Sequence, residues 1–399
     1  CHREVLSFNL QTKPKGMHVL IIPSWYFPPG THEIAGIMFH HMAGSLRDQG
    51  LDARILFADF NKDQPFVRKH QWTPEEGVPT WRTQHWFPPK INTILYSLWV
   101  QRYVAEIKKY IRSQGRPDLI HAQSYQAASV CATLFEETGI PFVYAERYSG
   151  FITNSIHKHH LPFIKRAIDG AAVLTCVSPG LASRIQPHTS KTIRILPNFF
   201  DSTVFYPDAA VVKSNVFTWV SVGEPAHIKG LDILLKAYAA LRRRLHDVPM
   251  RLVMIDRIPE QEQLVQQAQA LGIAEEITWT GLLSQKEVAD ILRQSHVLVS
   301  ASRTETFGKA ILEALACGLP VVATRTDGAE YILSSSRQGE LAEPGSPESL
   351  LRAMGTVFAG YSTYDADTIH SEVKKRFGQK EVIRQWVQLY KSIGHDHGA

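Results

Sequence analysis

Two glutamates, Glu305 and Glu313, stand eight positions apart in the run SRTETFGKAILEALACGLPVVAT, residues 302–324. Between them a Thr-Phe-Gly-Lys turn opens an apolar, Ala/Leu-rich helix that Gly318 and Pro320 stop, and residues 321–324 then read as a buried strand. A glycine at a helix start leaves bare N–H groups at the positive end of the helix dipole, which suits a phosphate. A carboxylate just before that helix, and another two turns into it, can each accept hydrogen bonds from sugar hydroxyls. At 1.5 Å rise per residue, eight residues span about 12 Å, the reach of a sugar plus its diphosphate. A lone pair of glutamates is more often a solvated surface pair; the glycine tip and the apolar flanks are what favour a ligand. Lys229, six residues past Gly223, adds a cation at a helix start. A basic residue is disfavoured there unless it meets an anion.

Such groups need strands that end together, and the chain supplies them. In the first half, strands at 18–22, 52–57, 119–122, 141–144, 172–177 and 192–196 alternate with helices ending near 49 and at 94–114, 125–138, 160–169 and 179–186. A Pro/Gly-rich loop, 24–36, follows the first strand. Residues 197–215 break the rhythm and read as a linker. A second series follows, with strands at 216–222, 250–255, 277–280, 297–300 and 320–324. Its helices lie at 229–244, 259–271, 284–294, between the two glutamates, and at 346–359 and 378–393. Alternation of this kind predicts two doubly wound, Rossmann-like α/β domains facing across a cleft. The N-terminal one covers 17–200 and the C-terminal one 212–377, with a last helix, 378–396, crossing back to the first. The C-terminal edges of the sheets are expected to line the cleft.

Composition narrows the classes. The 399 residues, 44% hydrophobic, suit two domains. A net charge of +5 is too mild to argue nucleic-acid binding. Four scattered cysteines, without metal-ligand spacing, read as reduced thiols in a cytoplasmic protein. No apolar run approaches the ~20 residues that cross a bilayer. Residues 1–16 lack the apolar core of a signal peptide and read as an extension before Met17, the expected natural start. No GxGxxG follows the first strand, which argues against NAD or FAD.

The run at 302–324 resembles the glutamate–seven–glutamate signature of retaining GT-B glycosyltransferases of family 4. MHVLIIPSWY at the front, DLIHAQSY at 118–125, VLTCVSPGLA at 173–182, ILPNFFD at 195–201 and VGEPAHIKG at 222–230 follow in that family's order and spacing. The resemblance, from Met17 to about Ile393, implies a nucleotide-sugar donor, UDP- or GDP-linked, held by the C-terminal domain and an acceptor held by the N-terminal one. It implies no cofactor and no metal, so Asp365-Ala366-Asp367 is read as a chance DxD. Residue by residue, Glu313 resembles the carboxylate on the donor ribose and Glu305 the one beside the donor sugar. The N–H groups of Phe307, Gly308 and Lys309 would face sugar and diphosphate, and Lys229, beyond Gly223, resembles the pyrophosphate lysine. The loop carrying Leu282 would help choose base and sugar. Glu305, Lys229 and His121 are thus the catalytic candidates. On the acceptor or phosphate side stand Gly36, of the Ala35-Gly36 pair, with Glu146 and Arg147, for which a structural ion pair is the rival reading. His121 is expected at a strand end facing the cleft, where family members often read His-x-His; the second position is Gln123 here.

The chain departs from the family at two places. Glu224 stands where an arginine is usual, and Ile255-Asp256-Arg257-Ile258 replaces a glycine-rich turn, leaving Arg257 as a substitute cation. These changes keep open a non-catalytic sugar-nucleotide-binding protein, and within enzymes a GT-B sugar-nucleotide epimerase is the rival. Helix 94–114 and the run HKHHLPFIKR, 157–166, mix basic and apolar residues. Each alone is an ordinary half-solvated segment. Together, in the acceptor domain, they favour a lipid-linked acceptor and contact with a membrane surface. The expected activity is sugar transfer to an acceptor hydroxyl in cell-surface polysaccharide or glycolipid synthesis.

Overall fold

The computed structural model describes residues 16–26, 36–61, 69–75, 77–88, 92–223, 227–255 and 261–396. The first lobe runs β1 (His18–Pro23), α1 (Ile37–Asp48), β2 (Asp52–Asn61), β3 (Lys69–Glu75), β4 (Val78–Trp86), α2 (Thr93–Gln114), β5 (Leu119–Gln123) and α3 (Ser124–Thr138). It continues with β6 (Phe142–Glu146), α4 (Gly150–Thr153), α5 (Leu161–Gly170), β7 (Val173–Cys176), α6 (Pro179–Ile185) and β8 (Ile193–Ile195). The second lobe runs β9 (Phe217–Val222), α7 (Leu231–Arg244), β10 (Met250–Ile255), α8 (Gln261–Ala270), β11 (Ile277–Trp279), α9 (Gln285–Gln294) and β12 (Val297–Ser300). There follow α10 (Lys309–Ala316), β13 (Val321–Thr324), α11 (Asp327–Ile332), β14 (Gly339–Ala342), α12 (Pro347–Ala359), α13 (Ala366–Phe377) and α14 (Gln379–Asp396).

The two sheets have strand orders β3-β4-β2-β1-β5-β6-β7-β8 and β11-β10-β9-β12-β13-β14. Every pairing is parallel except β3 with β4. Strands buried on both faces read as unbroken apolar runs, and β1 (HVLIIP) and β13 (VVAT) do so. Parallel order reverses beside β1 and β5 in one sheet and beside β9 and β12 in the other. Ligands of open α/β sheets bind beyond the carboxyl ends of the strands at such switch points. The expected doubly wound architecture is the one observed.

The differences have local causes. The β3–β4 hairpin, unforeseen in the sequence, extends the first sheet at its edge, with β4 alternating buried and half-buried side chains. In the second lobe α11, β14 and α13 are short or flanked by polar loops, so their periodicity is weak. Asp365 is the N-cap of α13, its carboxylate accepting from the Thr368 N–H at 2.8 Å, so the Asp365–Asp367 triplet has a capping role.

The last helix, α14, buries Trp386, Leu389, Tyr390 and Ile393 against Val19, Ile21 and Phe39 of the first lobe. The lobes meet elsewhere through α6 and α11. The Ser178 hydroxyl donates to the Thr306 carbonyl at 2.6 Å. A Cβ on Gly180 would sit 2.2 Å from Cβ of Asp327, so this approach requires glycine. Arg293 of α9 donates to the Val204 carbonyl in the linker at 2.9 Å.

Candidate active site

Glu305 and Lys229 come from the two loops at the switch point of the second sheet. β9 ends at Val222 beside β12, which ends at Ser300. After β9 a 3-10 turn, His227–Lys229, precedes α7. After β12 the chain crosses Ala301–Gly308 before α10. Arg303 fastens one loop to the other. Its guanidinium makes two 2.9 Å bonds to the Asp232 carboxylate and one to the His227 carbonyl at 2.6 Å, and its N–H donates to the Ile228 carbonyl at 2.7 Å. That forked bond holds the Asp232 carboxyl below its usual range. Gly230 lets the loops close up, since a Cβ there would lie 2.1 Å from the Ala301 carbonyl oxygen.

So held, Lys229 Nζ donates to Glu305 Oε2 at 2.6 Å, with the two side chains 27% and 18% exposed. The Lys229 stem runs along Gly223, about where a Cβ would make ordinary contact at 3.6 Å. Gly308, the N-cap of α10, has φ +90°, a conformation that favours glycine. Glu305 Cγ lies 3.5 Å from where its Cβ would be. The first intrahelical bond of α10 runs from Leu312 N–H to the Gly308 carbonyl, leaving the N–H groups of the first turn without a helical acceptor. Glu313 lies one turn beyond Lys309 and pairs with it at 3.1 Å, its side chain 10% exposed. The loop is braced from behind. Gly328 N–H donates to the Glu305 carbonyl at 3.1 Å, and the Phe307 ring is buried against Tyr331 and Phe377. The result is a Lys229–Glu305 pair beside the tip of α10, which carries the Lys309–Glu313 pair. Leu282, 46% exposed, stands on the loop between β11 and α9. Gly36, at φ +80°, is the N-cap of α1, and a Cβ there would meet the Trp25 carbonyl oxygen at 2.6 Å. Ala35, Glu224 and Asp256–Ile258, Arg257 among them, lie outside the described residues.

Three first-lobe candidates sit in a buried network instead of lining the cleft. His121 is fully buried. Its Nδ1 meets the Tyr390 hydroxyl at 2.6 Å, its Nε2 meets Gln123 Nε2 at 3.0 Å, and its ring packs on Trp386. Both nitrogens are engaged and no surface is left for a substrate, so the expectation of a cleft-facing catalytic histidine is corrected. Burial, then the nearby Arg147, push its pKa well below the usual imidazole range. Arg147 donates from Nε to Gln123 Oε1 at 2.7 Å and also to Asn198 of the linker. Glu146 receives the Tyr144 hydroxyl at 2.5 Å and the Arg147 and Tyr148 N–H groups at 2.8 Å each, and burial raises its pKa. The Arg147 guanidinium and the Glu146 carboxylate thus take different partners and form a buried scaffold, which corrects their placement as acceptor-side lining. Asn198 and Gln123 carry this network, and sequence spacing gives no signal for it. Arg303 was equally unmarked, although it directly precedes Thr304-Glu305.

The architecture defines the class first: two facing Rossmann-like lobes with an acid–lysine pair at the second switch point are a GT-B protein. The model for glycosyl transferases group 1 matches residues 207–366, and that for glycosyltransferase family 4 matches 35–204. The chain belongs to the group 1 glycosyltransferases of the GT-B fold. It is 26% identical over 339 residues to a D-inositol 3-phosphate glycosyltransferase of Arthrobacter sp. (strain FB24), covering 79% of this chain and 80% of that one. It is 26% identical over 206 residues to the phosphatidylinositol N-acetylglucosaminyltransferase gpi3 subunit of Schizosaccharomyces pombe, covering 51% and 44%. In fold it is similar to sucrose-phosphate synthase from Thermosynechococcus elongatus, with TM-score 0.79, 18% identity and coverage of 94% and 99%. It is likewise similar to Anabaena HepE in complex with UDP-glucose, with TM-score 0.71, 18% identity and coverage of 94% and 100%.

Proposed function

We propose that this glycosyltransferase is a retaining enzyme that moves a hexose from a nucleoside-diphosphate sugar, UDP- or GDP-linked, to the hydroxyl of a lipid-linked or saccharide acceptor. The observation that carries the reading is the Lys229–Glu305 pair held against the bare tip of α10. In the reading, the donor diphosphate takes Lys229 from Glu305 and docks on the first-turn N–H groups of α10. Glu313 accepts from the ribose hydroxyls and Glu305 from the sugar. The bond from the anomeric carbon to the diphosphate oxygen breaks, and the bond to the acceptor oxygen forms on the same face. The acceptor proton passes to the departing phosphate oxygen, so no covalent enzyme intermediate is needed. Charge developing on the leaving group is met by Lys229 and the helix dipole. Because these groups supply the neutralising charge, a chelator is expected to leave turnover unchanged.

The family membership and the UDP-glucose complex of HepE support a nucleotide sugar, and two relatives whose names refer to inositol phosphate and phosphatidylinositol support a phosphate-bearing acceptor. Among the described residues no helix is long and apolar enough to cross a membrane. Leu98 on α2 and Leu161 on α5 are nonetheless about half exposed beside basic residues, which supports a cytoplasmic enzyme peripheral to the inner face of a membrane and a role in cell-surface glycan or glycolipid synthesis. The test is a panel of nucleotide sugars incubated with the full chain, with and without cell extract. Nucleoside-diphosphate release that depends on extract supports transfer. Isomerised donor would instead mark an epimerase, and binding without turnover a binding protein; either outcome overturns the proposal.

A further inference from the structure

We infer that the first lobe carries a second binding site, for the apolar chain of an anionic lipid, between α4, α5 and α6. The inference rests on the transferase reading only in that the lipid would be the acceptor or its anchor. A cavity of about 480 Å³ lies between the α4 turn, α5 and α6, within the ~300–1,000 Å³ range of small-molecule sites. Its floor is apolar: Ile164 and Ile168 of α5 are core residues, and Phe151, Ile152 and Ile156 line it half-buried, with Asn154 the polar exception. Around this wall stand Lys165, Arg184 and His188. Lys165 is shared with Asp169 at 2.9 Å. Arg184 has no ion-pair partner among the described residues, and its planar fork suits a phosphate monoester or diester.

The location ties the cavity to the transfer site. Gly150 lies four residues beyond Glu146, the last residue of β6. A Cβ there would be 2.3 Å from the Tyr148 ring, so any larger residue would displace that ring. Arg184 is on α6, whose N-cap Ser178 holds the Thr306 carbonyl of the donor loop. Six residues of helix span about 9 Å, so that length of α6 separates the Arg184 backbone from the Ser178–Thr306 contact. Leu161 gives the cavity an exposed apolar edge, at 48% exposure. Tyr96 of α2 packs on His160 and Phe163, chain neighbours of the lining residues Leu161 and Ile164, at 4.0 and 4.9 Å between ring centres, and the same end of α2 exposes Ile94 at 72% and Leu98 at 52%. Six apolar side chains, Phe151, Ile152, Ile156, Leu161, Ile164 and Ile168, beside the cations Lys165 and Arg184 fit an acyl chain ending in an anionic headgroup.

The test is calorimetric titration of the full chain with dihexanoyl phosphatidic acid, dihexanoyl phosphatidylcholine and inorganic phosphate, below micelle-forming concentrations. Saturable binding of the phosphatidic acid is expected, with the phosphatidylcholine about tenfold weaker and phosphate alone not detected. Arg184→Glu and Ile156→Asp are each expected to weaken the phosphatidic acid by about tenfold or more. Both should retain the wild-type rise in Tm on adding UDP or GDP, which shows that they are folded. Unchanged lipid affinity in both variants, or phosphate binding as tightly as the lipid, would overturn the site. A wild-type chain that binds the lipid but shows no nucleotide-induced rise in Tm would overturn the donor reading and leave this site standing.

Discussion

Lys229 and Glu305 neutralise each other while no anion is bound, and each is expected to change partner when a diphosphate enters. Lys229→Ala should lower kcat/KM by about 10²–10³, the scale seen when one preorganised group facing developing charge is removed; steady-state kinetics with the donor identified by the panel would check it. Glu305→Gln separates binding from turnover. It should tighten nucleoside-diphosphate affinity several-fold by freeing Lys229, yet lower kcat. Equal losses in both would contradict that split. Much of this site was legible in residues 302–324, because a glycine tip, two acids and an apolar helix are local features. His121 was misjudged because a strand end says nothing about what packs over it. The cover is Trp386 and Tyr390 of α14, more than 250 residues away in the chain. Its titration has a definite sign. The folded state holds His121 neutral, so below the unfolded imidazole value of about 6.5 the unfolded chain binds the extra proton, and this stabilisation is lost as pH falls through that value. Tm should therefore drop between about pH 7.5 and pH 5.5, and His121→Gln should make that drop shallower while lowering Tm at the higher pH.

At the scale of elements, the donor loop depends on α11 and on Arg303. A Cβ on Gly328 would lie 2.4 Å from the Phe307 backbone, which cannot yield as a flexible side chain would. Gly328→Ala should cost about 1–3 kcal/mol and weaken donor binding by displacing Glu305; a thermal melt and a nucleotide titration would check the two effects separately. Helices with a stop signal and a cap were readable in advance. Ser284 and Glu287 form a capping box on α9, and Pro347 follows the Ser346 cap of α12. The β3–β4 hairpin is not legible because VPTWRTQHW lacks an apolar alternation: its buried positions include Thr80, Arg82 and Thr83, while Trp81 is only half-buried. The Arg303 fork was invisible for another reason: its partner Asp232 is in the first turn of α7, 71 residues earlier, and only the fold brings them together.

For the whole molecule, the second lobe's last helix completes the first lobe's core. Trp386 is 1% exposed among residues of β1 and α1. Trp386→Ala should therefore destabilise the chain by about 3–5 kcal/mol, and hydrogen exchange should report the loss in β1 and α1 of the first lobe. The alternating strands made two lobes legible, and the last helix was expected to cross back to the first; the α6–α11 contact was not legible, because Ser178, Thr306, Gly180 and Asp327 are unremarkable residue types whose roles exist only at the contact. That contact joins the Glu305 loop directly to the first lobe, so on the proposed function donor binding and lobe geometry are expected to change together.

Calorimetric titration of nucleoside diphosphate against the corresponding nucleoside, in the wild type and in Lys229→Ala, isolates what the lysine does for the phosphates. The account predicts that Lys229→Ala weakens the diphosphate by roughly tenfold or more and leaves the nucleoside unchanged. Equal affinity of both proteins for the diphosphate would contradict it.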